Sequence, residues 1–238
     1  MENATYATLS RQMGLMSELR IVANNIANAN TTGFQKEGVL FAEHIAALDG
    51  DHPSLSLATS LVRDTDQTQG TLTQTGGPFD LAIEGIGFFL VETPAGERLT
   101  RAGSFTPDGN GELVNMDGRR VLDAGGAPIF IPQGAGQIGI APDGTISANG
   151  APIGQVGIVV PSDPLQLVRE SGTIFEARGG FEEAPNARMV QGYLENSNVS
   201  PITQISRMIE VQRAYELGQS FLDKEDERIR SVIRAIGQ

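Results

Sequence analysis

Cysteine and tryptophan are absent from this chain of 238 residues, and histidine occurs only twice. The lack of cysteine excludes disulfides and thiolate metal sites. His44 and His52 have acidic neighbours at Asp49 and Asp51, but no second group of ligands accompanies them. Aromatic residues make up 5% of the chain, which is a poor supply for a sugar-stacking groove. We therefore predict no metal site.

Positive charge and long apolar runs are also scarce. Lys and Arg number 17 against 29 Asp and Glu, a net charge of -12, and a field of this sign repels nucleic acid and anionic membranes. The longest apolar runs, at 86–91 and 156–160, are too short to span a membrane. We predict no nucleic-acid partner and no direct membrane insertion. The N-terminus lacks the pattern of a cleavable signal peptide, so export would use another route.

No short motif carries a catalytic or cofactor-binding signature. The Gly-Ile-Gly sequence at 85–87 lacks the third glycine and the following helix of a dinucleotide fingerprint. Asp108, Asn110 and Glu112 imitate the start of a calcium loop, but Arg119 stands where a bidentate glutamate is required. A hairpin turn explains these residues better. We predict a protein that is not an enzyme and has no cofactor.

The chain does contain a long helical pattern at its C-terminal end. Ser200 is placed as an N-cap, Pro201 as the first helical residue and Gly237 as the stop signal. Apolar residues recur at steps of three, four and seven, which is typical of a coiled-coil seam. They are Ile205, Met208, Val211, Tyr215, Leu222, Ile229, Val232, Ile233 and Ile236. A helix with such a seam requires a partner.

Three residues interrupt this seam: Gln212, Gly218 and Glu225. A polar residue in a coiled-coil seam fixes the register at a cost in stability. We hypothesise that these positions set the register.

A second amphipathic helix is predicted over residues 3–30. One stripe of its surface is formed by Leu15, Leu19, Val22 and Ile26, and the adjacent stripe by Leu9, Met13, Met16, Ala23 and Ala27. About half of the circumference is apolar, so the helix could pack against two neighbours. An ordinary core helix fits the same pattern.

Asparagine is concentrated at the end of this helix, at Asn24, Asn25, Asn28 and Asn30. Asparagine is a poor helix former because its side chain competes for backbone hydrogen bonds, so these amides require specific partners. We expect Gly33 to end the helix through a positive φ, and Phe34 to cover the last turn.

The middle of the chain has a different composition. Residues 36–78 are rich in Thr, Ser, Gln and Gly and fit either a solvated linker or an extended strand. Residues 79–195 alternate apolar runs with turn residues and predict a mainly antiparallel β domain, either barrel or sandwich. The runs lie at 80–91, 111–114, 119–123, 127–132 and 155–161.

The turn signals at 107–109 and 142–144 share a Pro-Asp-Gly sequence, in which glycine is expected to take the left-handed position. A second turn signal follows each of them, at 117–118 and 149–150. This arrangement is either a weak repeat of a hairpin unit or two similar turns.

Four segments together resemble the flagellar axial proteins, the family of basal-body rod, hook and hook-associated subunits. They are ANNIANANTTGF at 23–34, TQGTLTQTGGPFDLAIEGIGFFLV at 68–91, LTRAGSFTPDGNGELVNMDGRRVL at 99–122 and VQGYLENSNVSPITQISRMIEVQRAYE at 190–216. The opening, MENATYATLSRQMGL, most resembles the proximal-rod branch.

The resemblance implies an α+β fold with long N- and C-terminal helices pairing as a coiled-coil-like bundle. The helices, at 1–35 and 196–238, would form the inner core of a helical tube. Residues 36–78 would be an extended strand region, and 79–195 a central β domain. Neither helix buries its seam alone, so we expect both ends to be disordered before assembly.

The implied function is that of a structural subunit of the proximal rod, which spans the periplasm and transmits torque from the motor to the hook. Its implied partners are copies of itself, other proximal and distal rod proteins and, in transit, the flagellar type III export apparatus. The alternatives are a distal-rod or hook-like axial subunit, or a rod-associated peptidoglycan hydrolase. The residues expected at the assembly interface are Leu15, Leu19, Val22, Asn24, Asn25, Ile26, Asn28, Gly33, Phe34, Ile205, Met208, Val211, Gln212, Tyr215, Leu222, Ile229 and Ile236.

Overall fold

The computed structural model describes residues 2–46, 55–184 and 186–236. The chain is an α+β protein with a mainly antiparallel β region between an N-terminal and a C-terminal helix, as predicted. It divides into two units. The first takes its described residues from Met1–Ala27, Glu37–Asp64 and Ser200–Gln238, and the second from Asn28–Lys36 and Thr65–Val199.

The first unit contains the two helices and a two-stranded β-ribbon. Helix α1 spans Glu2–Ala27, and helix α2 spans Pro201–Ile236. Strands β1, Glu37–Ala46, and β2, Leu55–Thr65, pair with each other. Helix α2 begins directly after Ser200, which confirms the predicted start, while Gly237 lies outside the described residues. Neither described helix is long and apolar enough to cross a membrane.

The predicted role of Gly33 as the end of the first helix is wrong. Helix α1 ends at Ala27, and turns follow it through residues 28–33. Gly33 does have a positive φ of 68°. Only glycine fits at this position, because the backbone of Ala102 lies so close that an added Cβ would be 2.3 Å from its nitrogen. Phe34 is buried in that unit as well.

The second unit is built from short strands. They are β3 (Leu72–Gln74), β4 (Leu81–Glu84), β5 (Phe88–Thr93), β6 (Gly96–Thr100), β7 (Phe105–Pro107), β8 (Leu113–Asn115), β9 (Val121–Leu122), β10 (Ile138–Ile140), β11 (Thr145–Ala148), β12 (Ala151–Gln155), β13 (Ile158–Pro161), β14 (Leu167–Ser171), β15 (Ile174–Ala177), β16 (Phe181–Glu183), β17 (Arg188–Gln191) and β18 (Tyr193–Glu195). A 3₁₀ helix, Pro164–Gln166, precedes β14.

A seven-stranded sheet dominates this unit, in the order β14-β15-β6-β5-β13-β16, with β9 also pairing with β5. A three-stranded sheet, β10-β11-β12, and the pairs β17-β4, β18-β3 and β7-β8 complete it. Strand β5 explains why the centre is apolar throughout. Phe88 and Leu90 enter one buried cluster and Phe89 enters the other, because successive side chains of a strand point to opposite faces.

The two Pro-Asp-Gly turns each join a hairpin, β7-β8 and β10-β11. Gly144 takes the expected positive φ, but in the first turn Gly111, two residues later than predicted, takes it. Asn149 and Gly150 both have positive φ, as a type I′ hairpin turn requires. The strand expected at 127–132 is replaced by isolated bridges, Glu112 to Phe130 and Leu122 to Pro128.

Candidate assembly interface

Helices α1 and α2 run antiparallel within the first unit, and polar side chains fix their register. The contacts are Gln12 Nε2 donating to the Tyr215 carbonyl at 2.9 Å, Arg207 Nη2 pairing with Glu18 Oε1 at 2.6 Å, and Asn25 Nδ2 donating to Gln204 Oε1 at 3.2 Å. Position numbers rise along α1 as they fall along α2, which defines the antiparallel direction.

The ion pair lies between the two helices, with Glu18 buried and the Arg207 side chain half exposed. Glu18 accepts a hydrogen bond from Arg207 Nε at 2.7 Å, and this bond raises the pKa of Arg207. Arg207 also donates to Glu210 on its own helix at 3.2 Å. A buried carboxylate with a charged donor selects one pairing of the helices, because any slip would leave it unpaired.

Asn25 is the best-satisfied member of the asparagine cluster. It is 1% exposed, and its Nδ2 donates to the Glu37 carbonyl at 2.8 Å, while the Glu37 amide donates back to Oδ1 at 3.0 Å. Together with the bond to Gln204, these contacts join α1, α2 and the first residue of β1. The expectation that this amide needs specific partners is met within the chain.

The other asparagines differ in their surroundings. Asn24 and Asn30 are exposed, and Asn28 is half-buried and accepts a hydrogen bond from the Thr31 hydroxyl at 3.1 Å. Gly33 and Phe34 are buried in the second unit.

The predicted seam residues of the two helices differ in their burial within the first unit. Val22 and Val211 are buried, and the half-buried ones are Leu15, Leu19, Ile26, Met208, Tyr215 and Leu222. Ile205, Gln212 and Ile229 are exposed, and the side chain of Ile236 lies outside the described part of the chain. The role of all these residues in contacts between subunits stays a prediction.

Both helices expose large apolar side chains. On α1 they are Leu9, Met13 and Met16, and on α2 they are Ile202, Ile205, Ile209, Leu217, Phe221, Ile229 and Val232. Contiguous exposed apolar surface, unlike single scattered side chains, is typical of interaction sites.

Residues 34 and 35 are held within the second unit by Arg169. The Arg169 guanidinium lies between the rings of Phe34 and Phe175, with its Cζ 4.3 Å and 4.5 Å from the ring centroids. Arg169 also donates to the carbonyl of Gln35. The Gly33 amide donates to the Glu195 carbonyl at 2.7 Å. Cation–π contacts and backbone hydrogen bonds thus fix the segment that follows α1.

Lys36 is fixed in the same way. Its amide donates to Asn198 Oδ1 at 2.6 Å, its ammonium pairs with Asp66 at 3.0 Å, and Asn198 Nδ2 donates to the Asp66 carbonyl at 2.8 Å. Burial alone would raise the pKa of Asp66, but hydrogen bonds from Thr68 and Lys36 outweigh it and lower that pKa.

A buried ion pair supports this segment. Arg101 Nε lies 2.6 Å from Glu195 Oε2, and both side chains are almost fully buried. Arg101 also donates to the carbonyls of Ile83 and Gly85, each at 2.8 Å, and Glu195 Oε1 accepts from the Gly70 amide at 2.9 Å. Every charge is therefore hydrogen-bonded, which is the condition for burying an ion pair without large cost.

Sequence reasoning missed Gln12, Glu18, Arg101, Arg169 and Glu195. Their side-chain partners are far away in the sequence: Arg101 and Glu195 are 94 positions apart, and Glu18 and Arg207 are 189 positions apart. Local patterns carry no signal for such contacts. Gly218 is the exception, because a glycine within a helical seam indicates that a neighbouring group approaches closely. In the structure, a Cβ added at Gly218 would lie 2.1 Å from Gln12 Nε2.

Among the described residues, no group of three or more His, Asp or Glu side chains is arranged to hold a metal ion. The side chain of His44 and residues 49, 51 and 52 lie outside that part of the chain.

Three family models match the chain at separate segments. They are the flagella basal body rod protein at 6–35, the flagellar hook protein FlgE/F/G D1 domain at 82–148, and the flagellar basal body rod FlgEFG protein C-terminal region at 190–235. The first of these matches falls on α1 and the turns that follow it, and the last covers the end of β17, β18 and nearly all of α2.

Individual relatives are similar over nearly their whole length. The flagellar basal-body rod protein FlgF of Caulobacter vibrioides is 41% identical, covering 100% of this chain and 99% of the relative. FlgF of Escherichia coli is 32% identical over 95% of each chain. The rod protein FlgG of Bacillus subtilis is 33% identical over 98% of each.

Proposed function

Since this chain belongs to the flagellar basal-body rod proteins of the FlgF type and is a structural subunit of the rod, we propose that it polymerises through its two terminal helices. The observation that carries this proposal is the apolar surface that α1 and α2 expose while paired with each other. On α1, exposed residues follow each other at steps of four and three, which is the spacing of a coiled-coil seam. The apolar ones are Leu9, Met13, Met16, Ala23 and Ala27, and the exposed Arg20 occupies the position between Met16 and Ala23. Such a stripe is buried when a neighbouring helix packs on it.

In the rod, we propose, the paired helices act as a coiled-coil-like bundle that forms the inner wall of the tube. Residues 1–35 and 196–238 would form this core, 36–78 an extended strand region, and 79–195 the outer β domain. The interface would include the seam residues of both helices. Ile205, Gln212 and Ile229 support this because they are exposed in the single chain.

The proposed mechanism is the transmission of torque from the motor to the hook by the proximal rod. Close-packed helices resist bending and twisting, because their side chains interdigitate and have no low-energy sliding motion. The segment after α1 supports the same role within the second unit, where Arg169, Glu195 and Asn198 hold residues 33–36. A rotating shaft requires segments that do not yield under load, and residues 33–36 are held in this way.

The chain associates with other components of the flagellar rod. We propose that these include copies of itself and the proximal and distal rod proteins, and that the flagellar type III apparatus exports it. We propose no nucleic-acid partner, since the net charge is -12.

We further propose that the chain has no enzyme activity of its own. The rod relatives carry structural names, which supports this. A turbidity assay on purified peptidoglycan tests the competing hydrolase function. Clearing of the suspension by the full chain, at a rate that a boiled sample does not reach, would overturn the proposal.

Deleting residues 2–27 tests the assembly function. This deletion removes α1 and leaves Asn28–Lys36, which belongs to the second unit, in place. We expect the truncated chain to be absent from isolated rods while strands of the second unit keep their hydrogen-exchange protection. Incorporation at the level of the full chain would refute the assignment of α1 to assembly.

A further inference from the structure

The chain contains two Asn-Gly sequences, Asn110-Gly111 and Asn149-Gly150, both in turns of the second unit. A glycine has no Cβ, so its backbone nitrogen is open to approach from the side chain of the residue before it. That nitrogen can attack the side-chain carbonyl carbon of asparagine and expel ammonia. The attack requires the peptide between the two residues to rotate until its nitrogen faces the side chain. Hydrogen bonds that hold this peptide therefore slow the reaction.

The Asn149-Gly150 peptide is free to rotate. It is the centre of the two-residue turn between β11 and β12, in which Ala148 pairs with Ala151. Both residues of the turn are exposed, and apart from its chain neighbours nothing lies within 4 Å of a Cβ added at Gly150. Among the described residues, neither the Asn149 carbonyl nor the Gly150 amide has a hydrogen-bond partner. A flip of this peptide changes a type I′ turn into a type II′ turn, so it leaves the pairing of the strands intact.

The side chain of Asn149 is placed for the reaction. Its Oδ1 accepts a hydrogen bond from the Gln137 amide at 3.3 Å. This donor stabilises the negative charge that develops on the oxygen during the attack. Nδ2, the nitrogen that leaves, has no acceptor among the described residues. The carbonyl is thus polarised, while the leaving group is not held.

The Asn110-Gly111 peptide is fixed instead. The Gly111 amide donates to the Asp108 carbonyl at 3.0 Å, and Gly111 is buried. The Gly111 carbonyl accepts from the Ile131 amide at 2.7 Å, and Asn110 Nδ2 donates to the Asp108 carboxylate at 3.3 Å. Rotation of this peptide would break the bond to the Asp108 carbonyl. The chain therefore carries an internal control for the reaction at Asn149.

We propose that Asn149 is a site of spontaneous deamidation in the folded chain, and that the fold protects Asn110. The Gly150 nitrogen forms a bond to Asn149 Cγ, and the bond between Cγ and Nδ2 breaks. Nδ2 leaves as ammonia together with the proton of the Gly150 amide, and a succinimide ring remains. A solvent water then opens the ring. Opening at the side-chain carbonyl gives aspartate, and opening at the main-chain carbonyl gives isoaspartate.

Either product changes the turn. Both add a negative charge to a chain whose net charge is -12, and isoaspartate also inserts the side-chain Cβ into the backbone. Because loop length fixes the register of a hairpin, this longer backbone disturbs the pairing of β11 with β12. Isoaspartate leaves its α-carboxylate free, which makes the modified turn a substrate for an enzyme that methylates such carboxylates. This inference goes beyond the proposed function and does not depend on it.

Ageing of the purified full chain tests the proposal. The folded chain would be kept at mildly alkaline pH, and samples would be digested with trypsin, which places Asn110 on the peptide 102–119 and Asn149 on the peptide 121–169. Mass analysis of the fragments measures the conversion of each amide to an acid. We expect Asn149 to convert at least about fivefold faster than Asn110, because one backbone hydrogen bond must break at Asn110. In concentrated urea the two rates should become similar.

Two outcomes of this experiment would overturn the proposal. One is a conversion of Asn149 in the folded chain that does not exceed that of Asn110, including no conversion at either. The other is the same ratio of rates in urea as in the folded chain, because the sequence rather than the fold would then set the difference.

Variants locate the isoaspartate. Aged chains would be treated with an isoaspartate carboxyl methyltransferase and a methyl donor labelled in its methyl group. We expect Asn149→Gly to lose most of the label, since glycine keeps the positive φ of the turn but has no side-chain amide. Asn110→Gly, the matched control at the other Asn-Gly sequence, should keep the label. Equal labelling of the two variants would overturn the assignment to Asn149.

Discussion

At the scale of single residues, the second unit depends on places where two backbones approach each other too closely for a side chain. Gly33 is such a place, with a φ of 68° and the backbone of Ala102 and Arg101 within 2.5 Å of a virtual Cβ. Backbone atoms cannot turn away as a flexible side chain can. The position therefore combines two demands, the left-handed conformation and the missing Cβ.

We expect Gly33→Ala to destabilise the second unit by clearly more than the ~1 kcal/mol that the left-handed conformation alone costs. Gly76→Ala is the matched control, because Gly76 has a φ of 74° and nothing within 4 Å of its virtual Cβ. Denaturant unfolding of both variants, followed through the amides of β5, measures the difference. Equal losses of stability would show that the close approach at Gly33 is relieved at no cost.

Asp66 gives a prediction about pH. Its pKa is lowered in the folded chain, so the contribution of its carboxylate is present above the unfolded pKa of about 4 and is lost as the pH falls through the folded pKa. We expect Asp66→Asn to lower the free energy of unfolding at pH 7, and the difference from the parent to narrow at pH 3.

The control for this experiment is Glu182→Gln, at an exposed residue of β16. It should change the stability little at either pH. A deficit of Asp66→Asn that is the same at both pH values would contradict the assignment of the effect to the charged form.

At the scale of elements, Asn25 joins three of them at once. Its side chain bonds both backbone groups of Glu37 and reaches Gln204. We expect Asn25→Ala to cost on the order of 2 kcal/mol in the first unit, because it leaves buried backbone groups of Glu37 without these partners. Hydrogen exchange at the Glu37 amide should speed up accordingly. Asn30→Ala, at an exposed asparagine, should leave that amide protected; equal exchange in both variants would sink the prediction.

Elements with a strong local pattern were predictable from the sequence. Helix α2 has a cap, a proline at its start and a repeated seam, and β5 is an apolar run between glycines. Two positions were predicted less well because distant contacts decide them: Gly33 has the predicted positive φ but does not end the first helix, and the segment at 127–132 forms isolated bridges instead of a strand. The first meets the backbone at Ala102, and the second is held by bridges from Glu112 and Leu122.

The candidate interface shows the same limit. Repeats identified the apolar residues of both helices, but not that Gln12 enters between them opposite Gly218. The apolar repeat of a helix indicates which of its faces is buried, but it does not indicate which partner covers that face.

At the scale of the whole molecule, the path of the chain alternates between the units. Asn28–Lys36 belongs to the second unit, although the segments before and after it belong to the first. Its bonds to Arg169, Glu195 and Asn198 are internal to the second unit, so they should persist when the first unit opens. The first unit should open first in the unassembled chain, because its helices expose apolar side chains that lack a neighbour.

Limited trypsin digestion of the full chain before assembly measures this order. We expect early cuts at Arg11, Arg20 and the arginines of α2, and slow cuts at Arg101, which is 3% exposed and bound to Glu195.

After a cut at Arg63, the peptide that carries residues 28–36 should still elute with the large fragment under native conditions and separate from it only in denaturant. Release of that peptide without denaturant would contradict the hold of Arg169 on Phe34. Cleavage at Arg101 as fast as at Arg20 would mean that the two units open together, and the terminal helices would then be no more in need of neighbours than the β strands.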